Sequence, residues 1–430
     1  MPNFAGPNEL SFCHESVVPS ILGPKGLLKG PYYDTRNQEP TALDGIRDHA
    51  EHSIRRRPWN RAMSVSALKY YDGLLKSTIM ELLAAFTQRQ REEIDISDWM
   101  SFATIDFMGR MTFSTEFGMV RAGKDSIGLR QVIFKGSIDG AVISHIPWTL
   151  PFFKWIPAGG GKALQFMFNL GNDIARKRVE SPTTQRDLYH YLIDDDGLEP
   201  EKPSTSVVTT DAMLSIVAGS DTSATALSHI LYFLLQRPKC LQKLQAEIDE
   251  TFPKGEDTVD FSKQAEMPYL NACINEALRL YPPVMMGLQR RVPLGIREKR
   301  LGNFIIPEGT QVSAHLFSLM RDPRYFNPIP DEFWPDRWLV RDTYTLPSGQ
   351  AIPSSQVLIT KGIFIPFSMG SQNCAGKNVA MMEMRAMLSG VIQKFDVAVA
   401  KEYRLSSYEE KIVDMYITHR GPLPVILTAR

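Results

Sequence analysis

Apolar residues recur at helical spacing from Ala62 to about Arg91 and again from about Thr209 to Leu235, with shorter runs at Leu241–Glu250 and Leu270–Leu280. These periods predict a chain whose middle is rich in helix. Strand-like stretches are short. Arg300–Ile306, the turn signal Pro307-Glu308-Gly309 and then Thr310–Ala314 predict a hairpin, and Val413–Thr418 with Leu423–Thr428 around Gly421-Pro422 predict another. The segment Ile146–Gly161, IPWTLPFFKWIPAGGG, predicts a loop between two helices. Its aromatics serve either as core packing or as a lid touching a membrane surface, where Trp is favoured at the interface.

Two places depart from a plain apolar period. Within the run Thr209–Leu235, Ala218-Gly219-Ser220-Asp221-Thr222-Ser223 puts a glycine and a polar cluster where a buried helix disfavours both. Such a local violation points to function or to a solvent-facing patch; small residues would let a flat cofactor approach, and Asp221 with Thr222 could relay protons. The second is FSMGSQNCAGKN at Phe367–Asn378, which ends in a long helical period. Glycines at 370 and 376 permit tight backbone geometry there. Cys374 is thereby placed at a helix N-terminus, where unpaired N–H groups and the helix dipole favour a thiolate. Such a cysteine reads as an inert apolar residue, a nucleophile or a metal ligand. A nucleophile needs a base, whereas a haem-iron ligand needs a fixed loop and donors to temper the sulfur charge.

The 430 residues are 43% hydrophobic and carry 48 basic and 48 acidic side chains, which allows a sizeable core in one large domain or two to three smaller ones. The balance argues against a general attraction to nucleic acid or strongly anionic membranes. Cys13, Cys240, Cys273 and Cys374 form no C-x-x-C or zinc pattern, which favours a reduced, intracellular setting. No stretch has the continuous apolar length of a membrane span, and Met1-Pro2-Asn3-Phe4 lacks the organisation of a secretion signal. Glu276 and Arg279 in Asn275–Leu280 stand three apart on one helix face, and Arg337 lies among aromatics and prolines in FWPDRW at Phe333–Trp338. A buried guanidinium there would need a carboxylate, and Glu276 could serve.

Together F-x-x-G-x-x-x-C-x-G at Phe367–Gly376, E-x-x-R at Glu276–Arg279, the motif ending at Arg337 and A-G-x-D-T at Ala218–Thr222 resemble the cytochrome P-450 superfamily of haem-thiolate monooxygenases. GPNELSF near the start and HSIRRRPWNRAMS look like its fungal branch. The resemblance covers nearly the whole chain and implies one domain over residues 1–430, mainly α, a helical prism with small antiparallel β-sheets. It implies haem b with Cys374 as axial ligand, held in a loop that includes Phe367, Gly370, Gln372 and Gly376. Glu276, Arg279 and Arg337 would form a structural triad, and Asp221 and Thr222 would lie over the distal haem face. His52 and Arg56, and less directly Arg290, would donate to the haem propionates.

The activity so implied is hydroxylation or other oxidation of a hydrophobic small molecule, in fungal secondary metabolism, with O2 and two electrons. No flavin or dinucleotide fingerprint is present, so NADPH would act through a separate reductase, with cytochrome b5 as an additional donor. Residues around Pro147–Gly161, the start of the long helix and Val284–Leu288 would supply an apolar substrate lining. The alternatives are a peroxide-rearranging haem-thiolate enzyme, which the retained Asp221 and Thr222 argue against, and a non-catalytic haem-binding protein. Relative to the family pattern the chain is expected to be N-terminally shortened, a full-length form being anchored on the cytosolic face of the endoplasmic reticulum membrane. At Gln372 the family usually carries arginine or histidine; a neutral amide donor is weaker, so looser haem retention is expected.

Overall fold

The computed structural model describes residues 3–36, 39–149, 160–181, 183–253 and 255–430. Helix α1 (His49–Ala62) starts at Asp48, whose carboxylate accepts from the Glu51 amide at 2.8 Å. Ser64 caps α2 (Val65–Gln88) in the same way, so the periodic run predicted from Ala62 begins a few residues later. Helix α3 (Ile96–Phe113) is buried along almost its whole length and lies against the long central helix. Next come α4 (Leu129–His145), α5 (Gly160–Glu180) and the central helix α6 (Thr205–Gln236). Helices α7 (Pro238–Thr251), α8 (Pro268–Leu280) and α9 (Lys377–Lys394) complete the helical body. Pro238 and Pro268 each open a helix where the missing N–H costs nothing. Of the expected loop Ile146–Gly161, Pro147–Thr149 form a 3-10 turn and α5 begins at Gly160; residues 150–159 lie outside the described residues.

Helix α6 begins amphipathic and ends enclosed: from Ser223 to Leu234 every side chain is buried. The sequence explains this, because the polar cluster stops at Ser223 and the apolar residues then leave no solvent face. One core joins α1–α3 and α6–α9, and truncating a buried leucine there to alanine costs about 2–5 kcal/mol. A second, smaller cluster lies under the main sheet.

That sheet joins β1 (Asn3–Gly6), β2 (Glu9–Phe12), β3 (Leu28–Lys29), β5 (Arg290–Arg291) and β8 (Gln311–Ala314) in the order β1-β2-β8-β5-β3. Its pairings are antiparallel except β2 with β8. The hairpin predicted across Pro307–Gly309 does not form. Its true partners are β6 (Glu298–Leu301) and β7 (Phe304–Pro307), which turn at Gly302, a left-handed position with φ 58°. Strand β8 is drawn into the main sheet because Val312 and Ala314 are fully buried there.

The second predicted hairpin is also re-partnered. Strands β10 (Val413–Met415) and β11 (Ile417–His419) pair across Tyr416, at φ 78°. Strand β12 (Pro424–Ala429) instead lies between β9 (Phe395–Val399) and β4 (Glu93–Asp95). The turn at Glu308-Gly309 is present, whereas no turn forms at Gly421-Pro422 and the reversal falls at Tyr416 instead; burial of the sheet faces chose the partners. The protein is thus mainly helical with small, chiefly antiparallel sheets. Among the described residues no helix is long and apolar enough to cross a membrane.

Candidate active site

The Cys374 loop is built by its backbone. The Cys374 amide donates to the Phe367 carbonyl at 2.9 Å, closing the loop on itself before α9 begins. Gly370 has φ 75°, and a Cβ there would lie 2.4 Å from the carbonyl oxygen of Leu22, so only glycine lets the loop sit against that segment. Gly376 differs: a Cβ would meet nothing within 4 Å, and no protein contact demands glycine there. The amides of Gly376 and Lys377 lie beside the cysteine sulfur and favour its charged form. Cys374 is exposed along one side while protein packs closely around the rest. That packing raises the thiol pKa, and the two amides, Arg56 and Lys377 only partly offset it. The helix start therefore does not by itself favour a thiolate, contrary to the sequence expectation; a coordinating metal deprotonates a thiol outright.

Behind the loop, Glu276, Arg279 and Arg337 meet in a fully buried cluster. Glu276 Oε1 accepts from Arg279 Nη2 at 2.9 Å, Arg337 Nε at 3.0 Å and the Trp334 amide at 3.1 Å. Its Oε2 accepts from Arg279 Nε and from the indole of Trp338, both at 2.9 Å. The remaining guanidinium N–H groups donate to the carbonyls of Met320, Pro330, Pro328 and Ile329. Burial pushes the Glu276 carboxyl up, but Arg337 and Arg279 outweigh it, and the net displacement is downward. The cluster ties α8 to the aromatic segment carrying Arg337.

On α6 the polar turn divides its members. Gly219 faces α3, where a Cβ would lie 2.6 Å from the sulfur of the flexible Met108 side chain. Thr222 donates to the Ala218 carbonyl at 2.7 Å. Asp221 is half-buried and meets Arg420 at 3.4 Å. Arg420, on the segment after β11, also donates to Ser97, Ser101, Thr225 and Ser228. Asp221 and Arg420 line a cavity of about 420 Å³ with Ser101, Thr104, Ser220 and His419. Sequence reasoning missed Arg420; its signal, an arginine in the otherwise apolar stretch ITHRGPLPVIL, is faint.

The three expected anion donors lie in one neighbourhood. His52 is buried, and burial with the nearby charges of Lys29, Arg56, His49 and Arg290 lowers its pKa to about 4. Arg56 reaches the loop directly, donating to the Asn373 carbonyl at 2.8 Å and its side-chain oxygen at 3.1 Å. Arg290 is 3% exposed, and its one hydrogen bond among the described residues is to the Gln289 carbonyl. Lys29, which sequence reasoning passed over, lies directly opposite Arg290 in the β3–β5 pair and is also buried. Lys29 Nζ donates to the Leu43 carbonyl at 3.4 Å. Gln372 adds a side chain whose amide oxygen and nitrogen are both buried without a partner.

A thiol presented at a helix start, a buried carboxylate–arginine cluster behind it and an acid–alcohol pair on the central helix define a helical haem-thiolate class of protein. The family model for cytochrome P450 matches residues 31–424. The chain is 31% identical over 428 residues to cytochrome P450 monooxygenase orf5 of Eupenicillium brefeldianum, covering 99% of this chain and 82% of the relative. It is 33% identical over 405 residues to cytochrome P450 monooxygenase nodW of Hypoxylon pulicicidum, covering 94% and 71%. The crystal structure of the cytochrome P450DA heme domain shares the fold, with TM-score 0.78, 20% identity and coverage of 98% and 86%. The chain belongs to the cytochrome P450 family, and the relatives place it with fungal members.

The residues present fit the prosthetic group of that family. A haem brings one soft-ligand position for a thiolate and two carboxylates. The thiol, with the Gly376 and Lys377 amides beside it, suits the first, and the buried Arg290 guanidinium with the unpartnered Gln372 amide suits the second.

Proposed function

We propose that this chain is a haem-thiolate monooxygenase that oxidises a hydrophobic small molecule with electrons from a separate NADPH-dependent reductase. The observation that carries the reading is the Cys374 loop: a sulfur exposed on one side, with the Gly376 and Lys377 amides beside it and Arg56 bonded to the neighbouring Asn373. Cys374 would hold the iron, with Phe367, Gly370, Gln372 and Gly376 forming its loop. His52, Arg56, Arg290 and Lys29 would bind the propionates. When bound, the haem supplies reductive activation of O2.

The remaining work falls to the chain's own residues. Asp221 would take a proton from solvent hydronium reaching it through the cavity and turn from Arg420 toward Thr222; the Thr222 hydroxyl would give its own proton inward and be reprotonated by Asp221, which returns to the carboxylate. Glu276, Arg279 and Arg337 hold the proximal side rigid while electrons arrive. A surface recess of about 630 Å³ near the Cys374 loop is lined by Lys69, Phe364, Lys377 and Arg385 and offers a docking face for the reductase, with cytochrome b5 as a second donor. Its action would take place at the endoplasmic reticulum membrane, and a role in fungal secondary metabolism accords with the fungal organisms of its relatives.

The test is the absorption spectrum of the reduced, CO-bound protein. Wild type should show the red-shifted band of a thiolate ligand and Cys374→Ala should lose it. A band that survived the substitution would remove Cys374 as ligand. Turnover should require NADPH and a reductase, and turnover with hydroperoxide alone would instead favour a peroxide-rearranging enzyme.

A further inference from the structure

Asp211 on α6 is 3% exposed, and its carboxylate ties that helix to two other parts of the chain. Oδ1 accepts from the Leu43 amide at 2.9 Å and from Arg55 Nη2 at 2.8 Å, while Oδ2 accepts from the Trp59 indole at 3.3 Å. Arg55 and Trp59 belong to α1, and Leu43 lies in segment 41–47, which leads into that helix. The Arg55 guanidinium also donates to the Thr41 carbonyl at 3.4 Å, and Arg47 donates to the Gly30 carbonyl at 2.8 Å. A buried carboxylate is costly unless paired, and packing alone already buries Leu43 and Ile46 in the main core. What the acid adds is direction: a charge-assisted bond to one backbone amide fixes where the main chain of the segment runs.

The place of this anchor on α6 gives it a consequence. Ala218 and Thr222 follow Asp211 by seven and eleven residues, so both fall within about 20° of it around the helix. Ala218 is exposed and Thr222 half-buried, so the stripe that Asp211 begins opens on the ligand side of the proposed site. Along the axis Asp211 stands about 10 Å from Ala218 and about 16 Å from Thr222. We propose that Asp211 is a positioning residue that sets specificity for ligand length: its carboxylate holds segment 41–47 as a fixed end wall of the substrate site, about three turns of α6 from Thr222. Short ligands stop before the segment, and long ones lie against it. This role rests on the haem-thiolate reading above, whereas the anchoring bonds do not.

Two probes that share a head group and differ in length test it on the haem-loaded chain. Imidazole and N-dodecylimidazole both place a nitrogen on the haem iron and shift its absorption band, but only the second carries a tail long enough to reach segment 41–47. In wild type, hydrogen exchange at the Leu43 amide should slow by about threefold or more with saturating N-dodecylimidazole and stay unchanged with imidazole. Asp211→Asn can turn its NH2 toward Trp59 and keep an oxygen for Leu43 and Arg55, so both affinities should stay within about twofold of wild type. Asp211→Ala should speed exchange at Leu43 by about tenfold or more. It should also weaken N-dodecylimidazole by about fivefold or more while imidazole stays within about twofold, because the wall that the tail lies against is no longer held in place. Equal weakening of the two probes in Asp211→Ala would make Asp211 a general support of α1 and overturn the proposal. Unchanged discrimination between them, or a wild-type Leu43 amide indifferent to the long probe, would overturn it too. If Asp211→Ala fails to fold, the wild-type exchange measurement still decides. A chain whose spectrum neither probe shifts, with Leu43 still protected, would sink the haem reading and the ligand role together and leave only the anchored segment standing.

Discussion

Replacing Glu276 by glutamine removes one charge from a site where five donors converge on two oxygens. The amide must put its NH2 where one oxygen was. At Oε1 it would face three donors, from Arg279, Arg337 and the Trp334 backbone; at Oε2 it would face two, from Arg279 and Trp338. The second orientation is the less costly. It still sets N–H against N–H twice and leaves two fully buried guanidiniums without a counter-ion. Breaking a buried pair by removing one partner costs about 3–5 kcal/mol, and here one carboxylate serves two cations, so the upper end of that range is expected. Against a typical stability of about 5–15 kcal/mol that is a large share.

Urea denaturation followed by tryptophan fluorescence reads this directly, since Trp334 and Trp338 lie in the cluster. The pH dependence adds a second check. The folded pKa of Glu276 lies below its ordinary value of 4.5, so its stabilisation is present above 4.5 and is lost as pH falls through the depressed folded value. The gap between wild type and Glu276→Gln should therefore narrow in acid. A loss below about 1 kcal/mol at neutral pH would mean that the carbonyls around Arg279 and Arg337 satisfy the cations without the acid, and the reasoning would fail.

Other outcomes follow from the same geometry. Arg420→Met should cost about 3 kcal/mol in the same assay, because it strands buried hydroxyls, and should alter the solvent isotope effect on turnover; an isotope effect identical to wild type would detach Arg420 from the proton route. Gln372→Arg should slow haem transfer to an apo-acceptor protein, and an unchanged rate would count against contact between position 372 and a propionate. Arg290→Met should speed that transfer yet leave the haem-free protein no less stable, because it removes a buried cation whose side chain bonds only the Gln289 carbonyl; destabilised haem-free protein would show that Arg290 is satisfied without an anion. Between about pH 4.5 and 8 wild type should progressively lose stability relative to Glu383→Gln and level off above 8, since burial raises the folded pKa of Glu383 from 4.5 to about 8 and the unfolded chain releases the proton first.

What the sequence made legible depended on whether a residue's partner was local. Helices α2, α6, α7 and α8 were legible because period and caps are written within one segment, as Ser64 before α2 illustrates. The Glu276–Arg279 pair was legible for the same reason, being three residues apart on one face. Strand partners were not, because Val312 could pair within a local hairpin or join β2, and only the burial of the whole sheet decides between them. Arg420 and Lys29 were invisible on similar grounds. A basic residue in an apolar stretch reads as surface until the fold sets it against Asp221, or against a second cation.

Gly219 and Gly376 show the opposite kind of error. Both stood out in the sequence as glycines inside a functional stretch, and they meet different ends. Gly219 sits against the side chain of Met108 on a neighbouring helix, whereas no protein atom stands within 4 Å of a Cβ at Gly376. A glycine demanded by no protein contact at the start of the helix presenting Cys374, beside a sulfur exposed on one side, marks the face that a flat ligand must approach. A bulkier residue at 376 should therefore spare the fold and impair haem binding. Gly376→Val should leave the urea midpoint of the haem-free protein within about 1 kcal/mol of wild type, as ordinary surface substitutions do, while weakening haem retention several-fold. If both properties fell together, the open side of Gly376 would be serving the chain's own folding, and the assignment of that face to the haem would fail.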